Sequence, residues 1–494
     1  GWPSSNPKDM RFFEMAKKVR FKHARLTAFS STRKANTHSE DCPNLNALLE
    51  ADTPTVTIFG KTWDLHVTEI LGVSLEENEA MIWDSIRYMK SKGKEVVYDA
   101  EHFFDGFKNN ERYACKTVKT ALAAGADFIV LCDTNGGTMP HELSEIIDEV
   151  KNFIPSHQLG IHVHNDCGLA VANSVAAARA GVRMVQGTIN GYGERCGNAD
   201  LIPIIANLQV KLGMKCLPEN SVRNLTSLSN FVSEVANVPI LNSRPFVGKS
   251  AFAHKGGVHV SAILKNAAAY EHIKPERVGN LQRVLVSDLS GKSNIEYKAR
   301  ELGVSLGLEE DMSRKIVRKI KEMEDRGYQF DAADGSLALL MKKATGEFEE
   351  PFTLECFHVI TSQTSTNPAI SQATIKISVG GEVEITAAEG NGPINALDFA
   401  LRKALTTFYP EINEMCLVDF RVRILEGSAG TGAMVRVLLD SRDKTDFWST
   451  IGVSTNVIEA SWHALVDSIQ YKLSKDRVNK NTKSEEAHRQ AGKK

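Results

Sequence analysis

The chain has 494 residues, length for about two to four domains. Its 59 Lys and Arg against 61 Asp and Glu give a formal charge of −2, without the basic field of a nucleic-acid binder. Hydrophobic residues make up 42% and charged residues 24%, ordinary for a soluble globular protein and too apolar for wholesale disorder.

No apolar run approaches the roughly 18 residues of a membrane helix. The opening G-W-P-S-S-N-P has neither the basic nor the apolar region of a signal peptide. The eight cysteines, at 42, 115, 132, 167, 196, 216, 356 and 416, make no C-x-x-C pair and no disulfide or zinc-finger spacing. They read as reduced thiols in a cytoplasmic protein.

From residue 1 to about 208, short apolar β-branched stretches alternate with amphipathic ones. Strands are expected at 24–29, 55–59, 95–98, 128–132, 160–164 and 184–187, and helices at 9–19, 78–91, 111–123 and 142–152. This alternation means βαβ units and a parallel sheet buried on both faces. An α/β barrel with its site at the C-terminal strand ends has this layout. Six strand–helix units are visible where a closed barrel has eight. Two readings stay open: a TIM (β/α)8-type barrel lacking its first strands, in an N-terminally truncated chain, or an open doubly wound sheet.

Residues 209–349 read as a helical accessory region, clearest at 225–238, 295–306 and 309–326. Residues 350–473 carry a repeat. A shift of 64 positions places Thr386 on Thr450, Ala396 on Ala460, Ala400 on Ala464 and Leu401 on Leu465. Each copy reads strand, turn, strand, loop, helix, an α+β unit with a natural ligand place where copies meet. The polar stretch 474–494 reads as a disordered tail.

The strongest chemical signal is G-I-H-V-H-N-D at 160–166. His162 and His164 are two apart on a strand, so both project to one face and can hold one divalent cation. Two imidazoles with oxygen ligands suit zinc, manganese or cobalt, and magnesium less well. In N-G-Y-G-E-R-C-G-N-A at 190–199, Asn198 offers a neutral oxygen to complete the coordination, although the stretch also reads as a turn before a helix. Glu101 and Thr134 follow two further strands. Each alone reads as an ordinary helix-start residue; together at successive strand tips they read as a base-orienting carboxylate and a hydroxyl donor to a substrate carboxylate. In A-H-K-G-G-V-H, His259 sits on a glycine-rich loop suited to a mobile general base or simply to a solvated histidine, with Tyr270 eleven residues on.

Together these motifs resemble the Claisen-condensing DRE-TIM metallolyases, the family of 2-isopropylmalate, homocitrate and citramalate synthases. The resemblance runs from Gly1 to about Leu473. The stretches G-W-P-S-S-N-P, H-V-T-E-I-L-G, D-A-E-H-F-F-D-G and S-D-L-S-G-K-S-N are most similar to the citramalate branch. The resemblance implies an acyltransferase that joins acetyl-CoA to pyruvate with water, giving (R)-citramalate and CoA, at the entry to isoleucine synthesis. It implies a divalent metal at His162, His164 and Asn198, and an oxo-acid pocket lined by Glu101 and Thr134. It implies catalytic roles for His259 and Tyr270, supplied by a neighbouring subunit of a homodimer, and a C-terminal domain sensing isoleucine or leucine. Two departures stand out. The family's T-L-R-D-G strand is not found, and Val260 and Ser261 follow His259 where many relatives carry Gln-Asp. The alternatives are another synthase of the family, a related carbon–carbon lyase, and a non-catalytic amino-acid-binding subunit.

Overall fold

In the first half of the chain, short runs such as F-I-V-L-C-D are too apolar to face water on either side and become central parallel strands. A computed structural model describes residues 1–287, 290–306, 311–363, 368–425 and 427–491, with side chains described except at 427–429 and 478–491. Asp288 and Leu289, within the S-D-L-S-G-K-S-N stretch, lie outside the described residues. The six strands are β1 (Thr27–Ser31), β2 (Thr55–Lys61), β3 (Glu95–Glu101), β4 (Phe128–Asp133), β5 (Leu159–Val163) and β6 (Met184–Gln186). They form one sheet in sequential order, every neighbouring pair parallel.

That order decides between the two readings. A doubly wound sheet reverses its winding at a switch point, whereas a barrel winds in one direction throughout. This sheet never reverses, so it is barrel-type. The helices in and around this half are α1 (Pro7–Ala16), α2 (Pro43–Ala51), α3 (Leu75–Ser91), α4 (Phe103–Ala123), α5 (Pro140–Val150), α6 (Ala170–Arg179), α7 (Leu201–Ala206) and α8 (Leu225–Ala236). Ile82, Val118 and Ile147 on α3, α4 and α5 share one buried core with Ile58, Ile129 and Ile161 of the strands. The opposite face of the sheet lines a cavity.

Gly1–Ala251 with Pro275–Leu281 forms one compact unit, and Phe252–Lys274 with Gln282–Lys494 another. The middle region expected over 209–349 is therefore divided between them. The second unit begins with the short parallel pair β7 (Ala253–His254) and β8 (Arg283–Val284) and with α9 (Gly257–Lys265), followed by α10 (Lys292–Glu301), α11 (Met312–Asp325) and α12 (Asp334–Thr345). Its last part has two antiparallel sheets, β9 (Thr353–Ser362) to β11 (Glu382–Gly390) around β10 (Ile370–Val379), and β12 (Cys416–Ile424) to β14 (Phe447–Ser454) around β13 (Val435–Arg442). Helices α13 (Pro393–Thr406) and α14 (Val457–Ala491) follow them.

The 64-residue repeat is structural. Thr386 Oγ1 donates to the Ala400 carbonyl at 2.8 Å, and Thr450 Oγ1 donates to the Ala464 carbonyl at 2.7 Å. Both bonds tie the last strand of a sheet to the helix behind it. Ala396, Leu401, Ala460 and Leu465 are all buried. Each copy carries one strand more than the sequence reading gave it, β9 and β12. Helix α14 itself runs on through Ala491.

Candidate active site

The concave face of the six-stranded sheet encloses a cavity of about 880 Å³ in the first unit. His162, on β5, and His164, just past its end, both line it, as do Glu101 and Thr134 from the tips of β3 and β4. The two imidazoles meet at 3.4 Å between their Nε2 atoms, with ring centroids 5.2 Å apart and planes at 50°. Burial lowers the His162 pKa below the ordinary value, opposed by Gln186 and Asn198. Burial, His162 and Arg195 lower that of His164. Both rings are therefore neutral near pH 7, with lone pairs available.

Asn198 closes an isolated bridge with His164, and its Oδ1 is buried without a hydrogen-bond partner. Its amide nitrogen donates to the Tyr192 carbonyl at 3.3 Å. A Cβ at Gly193 would stand 2.0 Å from that nitrogen, so only glycine admits the Asn198 amide there. The donor set fits a divalent cation. The two Nε2 atoms, 3.4 Å apart, stand close enough for one ion to bind both, and the unpartnered Asn198 oxygen would be a third donor. Among the described residues no group of three His, Cys, Asp or Glu side chains gathers for a metal.

The Glu101 carboxylate pairs with Lys61, the last residue of β2. Thr134 Oγ1 accepts from the His102 amide at 2.9 Å, which leaves its hydroxyl proton to donate elsewhere. Arg195 ties the loops together. It grips Asp166 through Nε at 2.8 Å and Nη2 at 3.0 Å, and donates to the Thr134 carbonyl at 2.6 Å. His259 and Tyr270 belong to the second unit, where their rings stack at 4.2 Å and 24°. The chain segment that carries them is held at its ends by buried His254 against Glu271, at 3.3 Å, and by Gln282 donating to Glu271 at 2.7 Å.

Sequence reading passed over Asp99 and Gln186, both of which line the cavity. A strand's period of two puts Asp99 on the same face as Glu101, a signal that was available. Burial pushes the Asp99 carboxyl up to about 7, a hydrogen bond from Gln186 opposing it. The unfolded chain ionises near 3.9, so this group's contribution is full below that pH and is lost as pH rises through 7. Asp99→Asn removes the titration. Between pH 5.5 and 8 the wild type is expected to lose about 2 kcal/mol relative to Asp99→Asn, read from urea midpoints. Parallel pH profiles for the two proteins would show the carboxyl to be ionised throughout.

A family model described as HMGL-like matches residues 3–232, one described as homocitrate synthase post-HMGL domain-like matches 246–328, and the LeuA allosteric (dimerisation) domain matches 331–473. An (R)-citramalate synthase from Aquifex aeolicus is 53% identical over 96% of this chain and 90% of its own length. One from Geobacter sulfurreducens is also 53% identical, over 96% and 90%. A 2-isopropylmalate synthase from Methanocaldococcus jannaschii is 30% identical, over 87% and 80%. With a barrel-type sheet, paired imidazoles at its strand tips and these matches, the chain belongs to the (R)-citramalate synthase family.

Proposed function

We propose that this protein condenses the methyl carbon of acetyl-CoA with the oxo carbon of pyruvate and hydrolyses the thioester, giving (R)-citramalate and CoA. Identity of 53% to (R)-citramalate synthases across nearly the whole chain carries this reading, against 30% to a 2-isopropylmalate synthase. His162, His164 and Asn198 would hold a divalent cation, zinc, manganese or cobalt before magnesium. Such a cation supplies a Lewis acid that polarises the oxo group. The free hydroxyl proton of Thr134 donates to the pyruvate carboxylate. His259, from a second copy of the chain, takes a proton from the acetyl methyl group, with Tyr270 stacked on it and Glu101 orienting the base. General-base help of this kind is worth about 10²–10⁴-fold. Hydrolysis of the thioester makes the reaction effectively irreversible, as suits a controlled first step. The match to the LeuA allosteric (dimerisation) domain supports a homodimer whose repeats bind isoleucine, or else leucine, as effector.

Thiol release by the intact protein, with pyruvate, 2-oxoisovalerate and 2-oxoglutarate in parallel, tests this. Pyruvate is expected to be preferred over 2-oxoisovalerate by about 10–200-fold, the usual worth of a few methyl groups in a pocket. A chelator is expected to abolish the signal. Preference for either larger oxo acid would overturn the assignment.

A further inference from the structure

We propose that Gln186 and Asp99 are a positioning pair that fixes the tautomer and tilt of His162, keeping its Nε2 lone pair on the cavity side. The inference rests on the reading that His162 and His164 hold a divalent cation, and it names what presets one of those rings.

Gln186 ends β6 and lies directly opposite His162 in the parallel ladder, so their side chains share the concave face. The Gln186 Oε1 atom is 2.9 Å from His162 Nδ1. An amide oxygen only accepts, so Nδ1 carries the proton and Nε2 carries the lone pair. The amide is held in that sense by its other end. Gln186 Nε2 donates to Asp99 Oδ1 at 2.9 Å, a bond that reaches across the concave face from β6 to β3. With Asp99 ionised, a flipped amide would set its oxygen against the Asp99 carboxylate and its NH₂ against the Nδ1 proton. Asp99 and Gln186 therefore select one tautomer of His162 before any ion arrives. His164 differs, for its Nδ1 is buried without a hydrogen-bond partner. Of the two imidazoles, only His162 is preset. Partners of this kind behind a metal-ligating histidine are worth about 10–100-fold in metal affinity.

Two measurements on the intact protein test this. In the metal-free wild type, long-range ¹H–¹⁵N correlation spectra are expected to show His162 protonated at Nδ1. Protonation at Nε2 overturns the proposal without any variant. In calorimetric titration with Co²⁺ alone, Gln186→Leu is expected to bind about 10–100-fold more weakly at unchanged stoichiometry. Gln186→Asn, one methylene too short to span both partners, gives the same result should the leucine variant fold poorly. Asp99→Leu is expected to weaken binding too, whereas Asp99→Asn, which keeps an oxygen for Gln186, is expected to restore it. Wild-type affinity in both Gln186 variants overturns the pair and leaves the cation reading standing. Wild-type Co²⁺ affinity in His162→Ala and His164→Ala removes the cation reading itself.

Discussion

His162→Ala and His164→Ala are each expected to abolish thiol release from acetyl-CoA in the presence of pyruvate, lowering turnover by about 10³-fold or more. A Lewis acid on the oxo group is worth several kcal/mol of charge stabilisation, and about 1.4 kcal/mol is tenfold in rate. If the two Nε2 atoms, 3.4 Å apart, share one cation as proposed, neither ring is spare. Removing one leaves a single imidazole and the Asn198 amide, too few donors for tight binding. Metal content after dialysis is expected to fall with activity. A variant that keeps both metal and a wild-type rate would sink the ligand assignment. The outcome separates chemistry from folding because the pair sits on the cavity face, away from the core between sheet and helices.

His259→Ala is expected to cost about 10²–10⁴-fold in kcat, with little change in the KM for pyruvate. Tyr270→Phe keeps the 4.2 Å ring stack and loses only the hydroxyl, so its effect is smaller. The stronger test is complementation. If the base comes from a second copy, mixing and refolding inactive His164→Ala with inactive His259→Ala yields heterodimers with one intact site in two. Random pairing then restores about a quarter of the wild-type rate. If each chain supplied its own base, every site in the mixture would carry one lesion and the rate would stay near zero.

Much of this was legible in the amino-acid sequence, because the signals were periodic or paired. F-I-V-L-C-D announces a strand by its nearly unbroken apolar character and G-I-H-V-H by alternating apolar residues with histidines, and both stand within a residue of where they were expected. The His162–His164 spacing forces a common face on any strand. Thr386 and Thr450 could be matched by register alone, and the repeated bond to Ala400 and Ala464 explains the match. Less legible were residues whose meaning depends on a neighbour in space. Gln186 is an isolated glutamine at the end of a three-residue strand, and Asp99 lies 87 positions away from it. β9 escaped notice because most of its residues are exposed, with only Leu354, Phe357 and Val359 half-buried against the core.

The division of the chain bears on any effort to obtain a feedback-resistant form. Ile316 of α11, Phe330 and Leu337 and Met341 of α12 share one buried core with Ile451 and Val453 of β14. Severing the polypeptide near residue 350 would strip that cluster of its far wall and leave greasy helices open to water, inviting clumping in the cell. If the repeats bind an end product as proposed, insensitivity to it is better sought by single replacements within residues 350–473, which spare the shared interior, than by amputation.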